Sequence, residues 1–76
     1  MRKEVIELGK RLKTRREICH LLQQQLSDLS AVSVRTIQLV ERGEGNPSLQ
    51  TLIQLAAPLG LRLELILNEP IQTLEP

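Results

Sequence analysis

The sequence predicts an all-α protein: a compact domain of four to five helices, followed by a C-terminal β-strand that pairs across a homodimer. Three observations lead there. Apolar residues recur at three- and four-residue intervals, in segments bounded by serine caps and glycine stops. The period then switches from helix-like to strand-like after Gly60. Finally, a chain of 76 residues with one cysteine and no aromatic residue lacks the usual staples of a small core. Oligomerisation is the staple left. Residues 1–60 are read as the helical domain, 61–68 as a dimerisation strand and 69–76 as a flexible tail.

The first helix runs from about Lys3 to His20, with Val5, Leu8, Leu12 and Cys19 on one stripe. Arg16 falls on the same stripe, four residues after Leu12. A second helix spans Gln23 to Ser30, with Leu22, Leu26 and Leu29 expected to turn inward. Ser33 is a good N-cap for a third helix from Val34 to about Arg42, and Gly43 a good stop. Ile37, Val40 and Glu41 share one side of that helix, while Arg35, Gln38, Leu39 and Arg42 share the other. Residues 43–47 read as a loop. Ser48 caps a fourth helix with Leu49, Leu52, Ile53, Ala56 and Leu59 as its apolar set; Pro58 disturbs its last turn and Gly60 ends it. Leu61, Leu63, Leu65 and Leu67 then alternate with Arg62, Glu64 and Ile66. A lone strand leaves its backbone groups unpaired, so the economical partner is the same strand of a second copy.

Composition narrows the function. The net charge is only +1, but residues 1–20 carry seven basic side chains against three acidic ones, and residues 46–76 carry one against three. That asymmetry suits an anionic partner at one end. No apolar run is long enough for a bilayer and no signal-peptide pattern opens the chain, which points to a soluble cytoplasmic protein. Cys19 and His20 are single members of their types, so no disulfide or metal cluster is expected within the chain, and no cofactor. As consecutive helical residues they diverge by about a hundred degrees, which argues against a catalytic pair. The chain is not expected to be an enzyme.

Two short helices joined by a tight turn, the second with a polar outer face, suit entry into the DNA major groove. The segments LGKRLKTRRE, QQQLSDLSAVSVRTIQLVERG and NPSLQTLIQLAAPLGLRLEL resemble the Cro/phage-repressor (XRE-type) helix-turn-helix family, over about residues 8–67. The resemblance implies a lambda-repressor-like fold. It places Val34, Arg35, Thr36, Gln38 and Leu39 where base edges are read, and Gln23, Ser33, Arg42, Gly43 and Asn46 near phosphates. It also implies a palindromic double-stranded operator, bound by a homodimer. The chemistry agrees, since a guanidinium such as that of Arg35 can donate two bonds to guanine.

Arg16 and Glu41 are read as structural. Each is a charge on the inward side of its helix, where it is costly unless paired, and the family joins its first helix to this glutamate in the same way. A single domain followed by a Leu-rich strand looks most like the HipB-type antitoxins, implying an autorepressor with a HipA-like toxin kinase as partner. The competing reading is a protein-interaction module that keeps the fold and binds DNA weakly or not at all. Three departures lean that way. His20 stands where the family has glycine, Leu22 where it has a Ser or Thr cap, and Ala31 where it has a second glycine. Ser27 and Ser30 also replace small alanines.

Overall fold

The computed structural model describes residues 2–66. Helix α1 spans Arg2–Ile18, α2 Gln23–Ser30, α3 Val34–Glu41 and α4 Leu49–Ala56, the last continued by a 3₁₀ turn over Ala57–Leu59. Leu12, Leu26, Val32, Ile37, Val40, Leu55 and Leu59 form the buried cluster on which Leu8, Cys19, Leu21 and Leu52 pack. With no aromatic ring to fill space, the core depends on close approach of backbones. Gly9 supplies the closest one. A Cβ there would lie 2.1 Å from the Val40 carbonyl oxygen, so α1 crosses α3 directly on the glycine.

The helices start and stop by local chemistry. Ser33 Oγ accepts the Thr36 N–H at 3.1 Å, and Ser48 Oγ accepts that of Thr51 at 3.1 Å, capping α3 and α4. Leu22 precedes α2 and has no side-chain acceptor; instead Gln25 Oε1 accepts the Leu22 N–H at 2.7 Å. Each helix ends on a left-handed residue: His20 (φ 58), Ala31 (φ 63), Gly43 (φ 73) and, after the 3₁₀ turn, Gly60 (φ 74). At three of these ends two bonds close the last turn. Leu21 N–H reaches Arg16 O while His20 N–H reaches Glu17 O; Glu44 reaches Leu39 while Gly43 reaches Val40; Leu61 reaches Ala56 while Gly60 reaches Ala57. His20 and Ala31 adopt this conformation with a Cβ, at a cost of about 1–2 kcal/mol each.

Arg16 ties these pieces together. Its Nε donates to Glu41 Oε2 at 2.6 Å, its second terminal nitrogen to Glu41 Oε1 at 2.9 Å, and its first to the Leu21 carbonyl at 2.7 Å. Gln23 Nε2 adds a bond to Glu41 Oε1 at 3.0 Å. The two charged side chains are 9% and 5% exposed, so this is a desolvated pair with its hydrogen-bonding capacity used. The bond to Glu41 holds the Arg16 guanidinium above its ordinary pKa, so it stays charged. Arg15 Nε meanwhile donates to the Leu59 carbonyl at 2.8 Å, clamping α1 to the 3₁₀ turn that continues α4.

Four leucine and isoleucine placements differ from the sequence reading. Leu22 and Leu29 are 68% and 61% exposed, and Leu21 packs on the core instead. Leu22 has extended backbone (φ −78, ψ 160), so helical spacing does not govern its direction. Leu29 yields the inward position to Ser30, which follows Leu26 by one turn and is buried with it. In α4 the buried face is rotated toward Leu55, leaving Leu49 and Ile53 66% and 51% exposed. Residues 61–66 have no regular secondary structure, because a strand needs a ladder partner and none is present among the described residues. Leu67 and the tail 69–76 lie outside the described residues.

Three outcomes follow, each measurable by chemical denaturation. Gly9→Ala forces the Val40 carbonyl away and is expected to cost about 1–3 kcal/mol or more. Glu41→Ala strands Arg16 and is expected to cost about 3–5 kcal/mol; a loss below about 1 would contradict a buried pair. Ala31→Gly relieves the left-handed strain and is expected to add about 1 kcal/mol, whereas destabilisation would show that Ala31 carries no strain.

Candidate nucleic-acid interface

Packing α3 on α1 through Gly9, Val40 and Glu41 determines which of its sides remains open. Ile37 and Val40 are buried, 1% and 3% exposed. Arg35 and Gln38 are exposed, and Val34, Thr36 and Leu39 are half-buried along the edges of the open side. The cap pins the first turn: Ser33 Oγ, besides accepting the Thr36 N–H, donates to Thr36 Oγ1 at 3.0 Å. Leu39 and Thr36 wall a shallow cleft of about 180 Å³ closed by Glu44, Gly45, Asn46 and Pro47.

Around this face the phosphate candidates have unequal surroundings. Arg42 is exposed, its side chain 61% open and its nearest acid Glu44 at 3.6 Å, a contact that solvent screens. Asn46 is exposed on the loop. Gln23 is half-buried and spends one amide hydrogen on Glu41, leaving the second available. Gly43 is different. It is buried, its N–H is bonded to Val40 O at 3.0 Å, and a Cβ there would lie 2.7 Å from Ile6 Cγ1. Gly43 therefore serves as the helix stop that lets Ile6 approach, with no free donor for a phosphate.

The chemistry offered is that of hydrogen-bond donors on an exposed surface. Arg35, Arg42, Gln38, Thr36 and Asn46 all carry at least one N–H or O–H, which suits base edges and phosphate oxygens. Among the described residues, no group of His, Cys, Asp and Glu is arranged to hold a metal. No described helix is long and apolar enough to cross a membrane. Sequence reasoning missed Gly9, whose signal was available: a glycine isolated inside a helical pattern usually has a packing reason.

Comparison with known proteins agrees with this geometry. A helix-turn-helix family model matches residues 12–66. A protein of Haemophilus influenzae, named an uncharacterized HTH-type transcriptional regulator, is 41% identical over 61 residues. That match covers 80% of this chain and 62% of the regulator, so the chain spans less than two thirds of its relative. Among solved structures, the restriction-modification controller protein C.AhdI from Aeromonas hydrophila shares 32% identity. It superposes with a TM-score of 0.74, covering 79% of this chain and 91% of that one. Matched by the family model from within its first helix to the end of its described residues, the chain belongs to the helix-turn-helix family, of the XRE type.

Proposed function

We propose that this protein is a sequence-specific DNA-binding transcriptional repressor that acts as a homodimer. The observation that carries the reading is the open side of α3, with donor side chains outward and an inner side anchored to α1 and α2 through Glu41. In this reading α3 enters the major groove by its first turn. Arg35 reads a guanine through O6 and N7, Thr36 and Gln38 donate to neighbouring acceptors, and Val34 and Leu39 meet thymine methyl groups. Gln23, Ser33, Arg42 and Asn46 lie against phosphates, Gln23 through its second amide hydrogen. Two copies paired through the segment that follows Gly60 would present two such helices to half-sites about one helical turn apart.

The similarity to a transcriptional regulator and to a restriction-modification controller supports control of an operon. The narrower role of antitoxin to a HipA-like kinase draws on sequence resemblance alone, with no structural feature favouring it, and the proposal stops at repression.

Selection of bound duplexes from a random pool, repeated across a salt series, tests the reading. Affinity is expected to fall with salt by a log–log slope of about −0.9 per phosphate contact. Arg35→Ala is expected to cost about 1–3 kcal/mol and to relax one guanine per half-site. Arg42→Ala is expected to weaken all sequences alike and reduce the slope by about 1. If no sequence is enriched even at low salt, the repressor reading fails and the interaction-module reading replaces it.

A further inference from the structure

Resting on the homodimer in that reading, we infer the register in which two copies pair. Leu63 lies opposite Leu63 of the second copy, Leu61 opposite Leu65, and Arg62 opposite Glu64. In this arrangement Leu65 of each copy closes an apolar groove beside α1 of the other.

The segment after Gly60 alternates leucines with charged residues. Leu61 and Leu63, each 37% exposed, line one side of a groove of about 490 Å³ whose other walls include Leu8, Leu12, Ile18 and Ala56. Arg62, which also borders that groove, meets Glu64 at 2.6 Å, their side chains 85% and 47% exposed. Residues 61–66 form neither helix nor turn, and a contact between residues two apart fits extended backbone, in which alternate side chains share a face. By that alternation Leu65 belongs with Leu61 and Leu63, yet it is fully exposed, with no described residue covering it. The Leu61 N–H donates to Ala56 O at 3.0 Å; among the described residues no other backbone group of the segment is paired.

Symmetry and charge then select the pairing. A two-fold axis makes the contact isologous, so an antiparallel pair must centre on one residue to keep both leucine faces together. Centring on Glu64 sets that carboxylate directly opposite its own copy, which is repulsive. Centring on Leu65 places Glu64 against Ile66 and Arg62 against Asn68, with no charge partner. Centring on Leu63 places Arg62 opposite Glu64 twice, once on each side of the axis. It also stacks Leu61, Leu63 and Leu65 over the groove. The intrachain Arg62–Glu64 contact shows that the two groups already share the face this pairing needs.

The test uses the full chain carrying Cys19→Ala, which removes the native thiol, with a single cysteine placed at 63, 64 or 65 in turn. Under mild oxidation Leu63→Cys is expected to form a covalent dimer roughly tenfold faster than the other two, because directly opposed Cβ atoms alone come within disulfide reach. Fastest linkage at 64 or 65 would overturn the register while leaving the dimer intact. Sedimentation of the uncrosslinked chain as a monomer would overturn the dimer as well. A charge swap supplies the second arm. Arg62→Glu is expected to weaken the dimer roughly tenfold, and adding Glu64→Arg to restore it. Failure of the double swap to restore dimerisation overturns the charge-set register. Neither arm involves DNA, so each result stands apart from the reading of bases by α3.

Discussion

The pairing of Arg16 with Glu41 is the constraint on which the arrangement of the other helices depends. A buried ion pair adds little stability against an apolar contact of the same volume, because both ions must first be stripped of water. What it adds here is direction. The guanidinium presents parallel donors to both carboxylate oxygens, and this two-point contact fixes the rotation of α3 about its axis as well as its distance from α1. The remaining bonds, to the Leu21 carbonyl and from Gln23, bring the junction before α2 and the start of α2 under the same control. A core made only of Leu, Ile, Val and Ala would tolerate slippage of a two-turn helix. The ion pair does not.

The same network helps explain how the chain carries left-handed backbone without glycine. His20 lies next to Leu21, whose carbonyl is held by Arg16, so the strained residue sits beside an anchored one. Ala31 follows Ser30, a buried serine whose Oγ accepts the Val32 N–H at 3.2 Å while its carbonyl accepts Gln54 Nε2 at 3.2 Å. The serine in place of a small alanine thus has its partners, and those bonds overdetermine the turn between α2 and α3. Strain of this kind persists where the surroundings leave the backbone no alternative.

Much of the fold was legible because it is written in local chemistry. Ser33 and Ser48 before helical runs, Gly43 and Gly60 after them, and a charge on an apolar stripe at Arg16 are signals read a few residues at a time. What was not legible depends on where neighbours stand. Leu21 and Leu55 are core residues while Leu22 and Ile53 are exposed, because the extended cap before α2 and the rotation of α4 are decided by tertiary contacts. Gly43 read as a stop and as a phosphate contact in the same stretch; only the approach of Ile6 and the closure of its N–H separate the two. The open side of α3 was visible in the sequence as a polar row, whereas the engagement of Gln23 with Glu41 was not. The alternation after Gly60 has strand spacing, but the described residues contain no ladder that would make it a strand.

The proposed DNA reading rests on a buried, paired Arg16 that holds α3 with Arg35 left exposed. The arginine Nε–H resonances, followed by nuclear magnetic resonance as a selected duplex is added, test it most directly. The Arg16 signal should exchange slowly with water and stay in place, while the Arg35 signal moves on binding. An Arg16 signal exchanging as fast as that of exposed Arg11, or an Arg35 signal indifferent to bound DNA, would contradict it.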